Sequence, residues 1–463
     1  MVFSSLIFLF FFLPVTLIAY YLWPNRTWRN ILLLAVSLFF YAWGEPVYVL
    51  LMMASIVVNW VVARIISSRD RLGFWVLAGG VTFNIIGIGV FKYSAFVVES
   101  FNTLSGLNMS VPNIALPIGI SFYTFQAISY LVDVHRGMVM PQKNPLFFGT
   151  YLVMFPQLIA GPIVRYETIE REILERRESS ADFVTGFRRF CIGLGKKVLI
   201  ADTMGAVADT LLATEPTIGA IPAWTAFIAY SFQIYFDFSG YSDMAIGLGK
   251  MFGFHFLENF NHPYVARSVK EFWRRWNISL STFFRDYVYI PLGGSRLSRE
   301  RWVFNLLVVW SLTGLWHGAQ WNFVCWGAYY GILLIGERIV WGRALERLPN
   351  MLQHLYMILI ILFGWVIFRI EDFSMMGQWF SALFGRYGAG HPSMLNILNV
   401  LHYWPWFLVA AIGSTPIMRL FLMWCNNFSR GSYALDFLAL AVFVWSSLTL
   451  ATGGYNPFIY FRF

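Results

Sequence analysis

The chain has 463 residues, of which 58% are hydrophobic and only 12% are charged, with a net charge of +9. Because charged residues make up about 25% of an ordinary soluble protein, this composition excludes that class and predicts an all-α polytopic membrane protein. At about 20 residues per spanning helix, the chain has room for roughly ten to twelve transmembrane helices. We therefore expect one transmembrane domain over residues 1–463, with re-entrant or interfacial helices and its function at the membrane.

The amino-terminal part, residues 1–163, predicts a series of apolar helices. Its first run has neither a basic region nor a small-residue cleavage site, which indicates a retained helix and not a signal peptide. Arg26 and Arg29 follow directly, so the positive-inside rule places this loop in the cytoplasm. Basic residues cluster in loops, and therefore topology and anionic membrane lipids explain the net charge better than nucleic acid does.

The next region, residues 164–254, combines a charged segment with polar spans. Arg165 to Arg189 interleaves Glu and Arg, which is typical of an amphipathic helix on the cytoplasmic face, although a solvated connector has the same composition. Asp237, Tyr241 and Asp243 occur within a hydrophobic stretch. They either line a polar passage or cap a broken helix, because acidic side chains at membrane depth are rare without such a role.

Residues 255–341 contain the candidate catalytic region. Its first part, His255 to Arg301, is too polar to span freely and too aromatic for a simple loop. This predicts one or two short helices, closed by a turn at Pro291 and Gly293-Gly294. The basic residues either bind a phosphate-bearing donor or form an ordinary positive-inside loop. The candidate donor-binding residues are Lys270, Arg274, Arg275 and Arg285.

A histidine lies in the apolar run LTGLWHGAQWNFVCW, within a helix predicted over Trp302 to Trp341. His317 is flanked by Gly314 and Gly318, which on one helix would let a neighbouring helix approach closely. An ionisable side chain at this depth is costly, by roughly 2.5 to 3.5 kcal/mol for Asp, Lys or Arg. His317 is therefore either functional or a hydrogen-bonded packing residue.

The remaining sequence predicts no metal site. Cys191, Cys325 and Cys425 are an odd and scattered set without metal-ligand spacing, so that neither a zinc site nor a disulfide framework is supported. Residues 342–463 supply the closing spans and end in an aromatic, basic tail.

Four segments occur in order along the chain: QIYFDFSGYSDMAIGLG at Gln233–Gly249, EFWRRWNISLSTFFRDYVYIPLGG at Glu271–Gly294, SLTGLWHGAQWNFVCWG at Ser311–Gly327, and the terminal YNPFIYFRF. Together they resemble the membrane-bound O-acyltransferase (MBOAT) family, and most closely its bacterial alginate-acetylating branch. The resemblance covers nearly the whole chain. It implies an MBOAT-like fold and an acyl-CoA-dependent O-acetyltransferase.

The resemblance also implies two catalytic residues. His317, in its WHG context, matches the catalytic histidine of the family. Asn277 occupies the family's second polar position, where the alginate branch is expected to carry histidine and other branches carry asparagine. An imidazole has a free pKa near neutrality and can act as a base, whereas the Asn277 amide can orient a group or donate a hydrogen bond to a developing oxyanion.

Acetyl-CoA is the donor substrate that the resemblance implies, with no permanently bound cofactor. The expected enzyme lies in the bacterial inner membrane and passes acetyl groups across it to an exported polysaccharide of alginate or cellulose type, through a periplasmic acetyltransferase partner. Two alternatives remain open. One is D-alanyl or peptidoglycan acyl transfer by the same fold, and the other is a transporter or flippase with His317, Asp237 and Asp243 as a proton relay.

Overall fold

The computed structural model describes residues 1–66, 71–159, 161–213, 216, 219–386, 402–426, 431–453 and 458–459. Every regular element within these ranges is a helix, which confirms the all-α fold. The chain packs into two compact units, Met1–Phe190 with Tyr241–Glu258, and Cys191–Gly240 with Asn259–Phe463. The single domain and its four sequence regions stay predictions.

The first unit contains the amino-terminal helices. Their starts are encoded locally: the Asn25 side chain accepts a hydrogen bond from the Trp28 N–H, and Asn144 accepts one from the Leu146 N–H. The helices are Leu13–Leu22, Arg26–Ala42, Tyr48–Ile65, Arg71–Ile88, Ser94–Ser105, Ile120–Arg136, Pro145–Val153, Phe155–Leu158 and Tyr166–Glu175, with π-helical turns at Phe8–Phe12 and Gly89–Tyr93.

Two helices, Ser180–Gly195 and Ala220–Met251, contribute residues to both units. The second unit also contains Asp202–Leu212, Val269–Trp273, Ile278–Phe284, Arg299–His317, Trp321–Gly336, Gly342–Arg347, Asn350–Arg369, Phe373–Leu383, Trp404–Gly413, Ile417–Asn426 and Gly431–Thr452. Its π-helical turns are Lys196–Ala201, Arg285–Tyr289 and Glu337–Trp341, and Pro263–Val265 is a 3-10 turn. Turns of the π type are frequent at functional sites.

The chain is a multi-pass membrane protein. Among the described residues, five helices are long and apolar enough to span a bilayer, namely Tyr48–Ile65, Arg71–Ser105, Trp321–Arg347, Asn350–Arg369 and Tyr433–Thr452. Phe8–Leu22 and Trp404–Gly413 are shorter apolar helices. The predicted total of ten to twelve spans is not confirmed. Residues 387–401, within the region of the predicted closing spans, and most of the terminal YNPFIYFRF motif lie outside the described residues.

The charged segment Arg165–Arg189 forms two helices and not one. The first, Tyr166–Glu175, is amphipathic as predicted. It ends because the Arg176 side chain turns into the interior of the first unit, where it donates hydrogen bonds to the Tyr20 hydroxyl (2.9 Å) and to Asn30 Oδ1 (2.6 Å). Contacts with other helices therefore hold the segment in place. The sequence pattern had instead indicated Glu–Arg pairing along one helix.

The two short helices predicted between His255 and Arg301 are confirmed as Val269–Trp273 and Ile278–Phe284. The predicted turn is also present, because Gly293 and Gly294 both adopt positive φ angles, 102° and 58°. The Gly294 N–H donates to the Tyr289 carbonyl oxygen (2.9 Å) and closes the turn. Glycine has no Cβ, and it adopts such angles at little cost.

The core of the second unit is an aromatic cluster, formed by Trp273, Trp276, Trp310, Phe323, Trp326, Tyr330, Trp365 and Phe368. Its rings meet mainly edge to face; the centroid distances are 4.7 Å for Trp273–Trp310, 5.5 Å for Trp273–Trp326 and 5.2 Å for Trp326–Tyr330. Such pairs contribute about 0.5–1.5 kcal/mol each beyond area burial. The cluster thus joins the short helix Val269–Trp273 rigidly to the longer helices around it.

Candidate active site

His317 is the last residue of the helix Arg299–His317, which we call the histidine helix. The predicted continuous helix over Trp302 to Trp341 is therefore wrong at this point. Gly318 is extended, with φ −166° and ψ 158°, and a new helix begins at Trp321. The break places the imidazole at a helix end and not in the middle of a span.

A close helix contact fixes the position of this break. A Cβ atom at Gly314 would collide with the carbonyl oxygen of Phe323, and one at Gly327 would collide with the carbonyl oxygen of Trp310. The predicted small-residue approach is thus real, but Gly314 pairs with Gly327 of the following helix. This contact holds the histidine helix directly against Trp321–Gly336.

Aromatic rings surround the buried His317 side chain, which is 4% exposed. The imidazole meets Trp316, Trp326 and Phe368 edge to face, with centroid distances of 4.9, 4.7 and 5.2 Å. These rings exclude bulk water from three directions. A low local dielectric strengthens the electrostatic interactions of any charge that develops there.

Asn277 precedes the short helix Ile278–Phe284 and has a left-handed backbone, with φ 43° and ψ 58°. Its side chain is 3% exposed, and its Nδ2 atom has no hydrogen-bond partner among the residues described. Buried amide donors are nearly always satisfied in folded proteins. A buried donor that lacks a protein acceptor is suited to bind a substrate oxygen.

The aromatic cluster connects the two candidate catalytic residues. Trp276, immediately before Asn277, contacts Trp365 with a centroid distance of 5.1 Å. Trp365 contacts Phe368 at 5.6 Å, and Phe368 contacts the His317 ring at 5.2 Å. The residue next to Asn277 and the His317 ring therefore contact the same group of rings, although Asn277 and His317 are 40 positions apart in the sequence.

A cavity of about 730 Å³ lies beside Lys270. Arg338 and Arg343 add two guanidinium groups to its wall, and the Arg338 group stacks over the Trp302 ring at 4.2 Å. Glu337 and Glu346 are its acidic lining residues. The Glu337 carboxylate accepts a hydrogen bond from the backbone N–H of Val269 (2.8 Å). Part of its negative charge is therefore engaged by the start of the short helix Val269–Trp273.

The other three predicted donor-binding residues do not line this cavity. Arg275 binds Glu271 through two hydrogen bonds of 3.0 and 2.9 Å, and Arg274 is exposed. Burial raises the pKa of Glu271, but the Arg267 N–H and the Arg275 guanidinium outweigh this effect and hold that pKa below its ordinary value.

Arg285 borders a separate cavity of about 170 Å³, next to the histidine-helix residues Trp310 and Thr313. Its guanidinium binds the Asp286 carboxylate at 2.6 Å. The hydrogen bond that the Arg285 guanidinium donates to this carboxylate raises the pKa of Arg285. The structure thus separates the four basic candidates into different surroundings, and only Lys270 lies at the larger cavity.

The three residues of the predicted polar passage have different partners. Buried Asp237 forms an ion pair with Lys197 (3.0 Å) and accepts the Ile459 N–H (2.6 Å). Asp243 accepts hydrogen bonds from Arg189 (2.8 and 3.0 Å), and Tyr241 stacks on the Phe3 ring at 4.6 Å. Asp237 belongs to the second unit, whereas Tyr241 and Asp243 belong to the first. The passage stays a prediction.

In the part of the chain that the structure describes, no group of three or more His, Cys, Asp or Glu residues could hold a metal ion. Cys191 is a buried free thiol and Cys325 is an exposed one. Burial raises the pKa of the Cys191 thiol to about 12, so this residue stays protonated at neutral pH. Cys191 is therefore an inert packing residue.

The sequence profile of MBOAT, the membrane-bound O-acyltransferase family, matches residues 139–380. This chain belongs to the MBOAT family. His317, Asn277 and the large cavity all lie within the matched residues. The chain is an acyltransferase, and this family membership displaces the transporter alternative.

Several named proteins are similar to this chain. It is 45% identical over 408 residues to the probable alginate O-acetylase AlgI of Pseudomonas aeruginosa, covering 86% of this chain and 78% of the relative. It is 35% identical over 410 residues to the peptidoglycan O-acetyltransferase of Helicobacter pylori, with coverages of 80% and 77%. The teichoic acid D-alanyltransferase of Bacillus subtilis is 28% identical over 271 residues, with coverages of 56% and 68%.

Arg338 and Arg343, which line the cavity beside Lys270, were not among the residues predicted from the sequence. Both lie at the end of the span Trp321–Arg347, where basic residues are expected for topological reasons alone. The one available signal was their spacing, since they lie on either side of Gly342 in the run ERIVWGRALER. That spacing cannot identify a cavity, because the cavity depends on packing against Lys270 and Trp302.

Proposed function

We propose that this MBOAT protein is a bacterial inner-membrane O-acetyltransferase. It takes acetyl groups from cytoplasmic acetyl-CoA and passes them across the membrane for O-acetylation of an exported polysaccharide of alginate or cellulose type. The similar proteins of Pseudomonas aeruginosa and Helicobacter pylori are both named for O-acetyl transfer to a polymer, which supports the reaction class. The observation that carries the proposal is that buried His317 contacts Trp326 and Phe368 of the aromatic cluster, and that buried Asn277 directly follows its member Trp276.

His317 is the general base of the proposed reaction. The acceptor hydroxyl gives its proton to the imidazole while its oxygen forms a bond to the thioester carbonyl carbon. The C–S bond then breaks, and the proton passes from the imidazolium to the departing thiolate. Positioned general acid–base groups contribute about 10²- to 10⁴-fold to rates of this kind, and histidine titrates nearest to neutral pH.

Asn277 stabilises the charge that develops during this step. When the hydroxyl oxygen adds, the thioester carbonyl oxygen becomes negative and requires a hydrogen-bond donor. The Nδ2 atom of Asn277 is buried and has no acceptor among the described residues, so it can donate to this oxygen. The amide cannot take a proton, and His317 therefore remains the base.

The cavity beside Lys270 binds the nucleotide end of acetyl-CoA in this proposal. Its Lys270, Arg338 and Arg343 side chains provide three positive charges for the donor's phosphate groups. A volume of about 730 Å³ is within the range of small-molecule binding sites. Arg274, Arg275 and Arg285 remain candidates from the sequence, with Arg275 and Arg285 already bound to acidic side chains.

Acetyl transfer into sealed vesicles tests the proposal. The protein is reconstituted into lipid vesicles that contain a mannuronate oligosaccharide and a periplasmic acetyltransferase partner, and radiolabelled acetyl-CoA is added outside. We expect label on the enclosed oligosaccharide and equimolar release of free CoA thiol. The His317→Ala variant should fold but transfer no label.

His354→Ala is the matched control, because His354 is partly buried and its ring lies within hydrogen-bond distance of the Ala266 carbonyl oxygen (3.2 Å). It should transfer label at the wild-type rate per folded molecule. Wild-type transfer by His317→Ala would contradict the catalytic role. A D-alanyl thioester donor, or a peptidoglycan acceptor, used in preference would assign the chain to the alternative acyl transfer reactions.

A further inference from the structure

The segment that carries Asn277 is held by backbone hydrogen bonds on both sides. The Ile278 N–H donates to the carbonyl oxygen of Asn259 (2.9 Å), and the Asn261 N–H donates to the carbonyl oxygen of Arg275 (2.9 Å). These two bonds fix the chain just before and just after Asn277. The stretch from Asn259 to Asn261 is therefore the support on which the candidate catalytic amide rests.

The Asn259 side chain adds to this support. It is 1% exposed, and its Oδ1 atom accepts two hydrogen bonds from Ser279, one from the backbone N–H (3.0 Å) and one from the hydroxyl (2.8 Å). Asn259 thus contacts both residues that follow Asn277 in the sequence. Its own Nδ2 atom is buried without a hydrogen-bond partner in the described part of the chain.

This support matters because the Asn277 backbone is left-handed, a conformation that few residues other than glycine adopt. A single residue in this conformation persists when the surrounding structure determines it. Here, the bonds from Asn259 to Ile278 and Ser279 hold the start of the helix Ile278–Phe284, and the direction of the Asn277 amide follows from that start.

We propose that Asn259 is a positioning residue for acyl transfer, which holds the Asn277 amide in the orientation that the reaction uses. The inference rests on the proposed role of Asn277. Asn259 acts through Asn277 and has no contact with the reacting atoms. Its loss should therefore lower the turnover number and leave the KM for acetyl-CoA nearly unchanged, because phosphate binding at Lys270 is separate.

A double-mutant cycle tests this coupling, with rates measured per folded molecule. Asn259→Ala should lower kcat by about 100-fold, the size of effect that a displacement of about 1 Å produces. Asn277→Gly removes the amide but keeps the left-handed backbone available. If Asn259 acts through Asn277, the double variant Asn259→Ala with Asn277→Gly should be no slower than Asn277→Gly alone.

Two further variants separate positioning from general stability. Asn259→Asp keeps an acceptor oxygen for Ser279 and should recover most of the rate lost in Asn259→Ala. Asn84→Ala is the matched control, since Asn84 is 4% exposed and binds Asn59 (2.7 Å) in the first unit. Its surviving folded molecules should turn over normally.

The positioning role would be overturned if the kcat losses of the two single variants multiplied in the double variant, or if Asn259→Ala had a normal kcat. An Asn259→Asp rate as low as that of Asn259→Ala would also overturn it. A wild-type protein without acetyl transfer would instead overturn the proposed function, and this inference with it. An active wild type with independent losses would overturn the inference alone.

Discussion

At the scale of single residues, the backbone of Asn277 decides which replacements are informative. Asparagine, aspartate and histidine are enriched several-fold among the non-glycine residues that adopt positive φ angles. The position can therefore hold both residue types that the family resemblance assigns to it, an amide and an imidazole. Alanine does not share this tolerance, so an alanine variant combines loss of the amide with backbone strain.

Asn277→Gly is expected to lower the rate by about 10²- to 10³-fold, because it removes one transition-state donor without straining the backbone. Asn277→Ala should show a similar rate per folded molecule and a lower yield of folded protein. Acetyl transfer normalised to folded protein measures both effects. An unchanged rate in the glycine variant would remove Asn277 from the site.

Asn277→His should retain appreciable activity, since an imidazole N–H can donate a hydrogen bond from the same left-handed position. The measurement is the rate of label transfer at several pH values. A glutamine variant is the control, because it keeps an amide but lengthens the side chain by one methylene. Equal and complete loss in both variants would indicate that this position tolerates only the native geometry.

The sequence was sufficient to single out His317 and Asn277 but not their surroundings. A histidine within an apolar run is costly, and that cost alone marks His317 as a candidate. Asn259 carries no comparable signal, because an asparagine in a polar loop is common. Its role depends on hydrogen bonds to Ile278 and Ser279, about 20 positions away, which spacing does not show.

At the scale of elements, the break after Tyr166–Glu175 shows how a buried charge overrides a helical pattern. Glu178, two residues beyond Arg176, binds Arg26 at 2.7 Å and Arg29 at 2.8 Å. Burial raises the pKa of Glu178, but hydrogen bonds from Arg26 and Tyr20 outweigh it and lower that pKa to about 2. The sequence predicted charge pairing in this segment, but it did not identify Arg26 and Arg29 as the partners.

The Glu178 cluster predicts a specific loss of stability in acid. A depressed carboxyl pKa stabilises the fold above the unfolded value of 4.5, and this contribution disappears as the pH falls toward about 2. Thermal unfolding in detergent between pH 6 and pH 3 measures it. Glu178→Gln should be less stable at pH 6 and should lose less than the wild type over this interval. Parallel curves would contradict the role of the cluster.

The cavity predicts a change in substrate binding without a change in turnover. Arg338→Ala and Arg343→Ala should each raise the KM for acetyl-CoA by about 10-fold, since one hydrogen bond to a charged group is worth about 1.5–3 kcal/mol. Phosphate contacts are equal in the ground and transition states, so kcat should stay near normal. Steady-state kinetics in vesicles separate the two constants.

Arg171→Ala is the control for this experiment, because Arg171 is exposed in the first unit. Arg274→Ala provides the comparison with the sequence-based prediction. If Arg274 changed the KM more than Arg338 and Arg343 did, the donor's phosphates would lie outside the cavity. A fall in kcat at constant KM would likewise contradict a donor-binding role.

At the scale of the whole molecule, composition predicted the fold class and the motifs predicted the family, whereas long-range polar contacts were not predictable. Lys197 and Asp237 are 40 positions apart and form a buried ion pair, and Asp237 also binds the Ile459 N–H near the carboxyl terminus. The sequence showed Asp237 only as an acidic residue in an apolar run. Both a role in a polar passage and a structural role therefore remained open.

Asp237→Asn distinguishes these two roles. Removing one partner of a buried ion pair typically costs about 3–5 kcal/mol, and here Lys197 retains Asp202 at 2.6 Å, so we expect the lower end. A structural role predicts a lower unfolding temperature with a normal rate per folded molecule. A role in the polar passage predicts the reverse, and measuring both quantities on the same sample decides between them.

The end of the histidine helix has an electrostatic consequence for the proposed reaction. The peptide dipoles of a helix leave roughly −0.5 elementary charge at its carboxyl end, where the last carbonyl groups lack partners. His317 is the terminal residue of its helix, so it lies within the last turn, over which this partial charge acts. This charge favours the imidazolium that exists only after the acceptor has lost its proton. An interaction that strengthens as the reaction proceeds lowers the activation barrier instead of merely tightening substrate binding. A histidine in the middle of the helix would not gain this interaction from the same backbone.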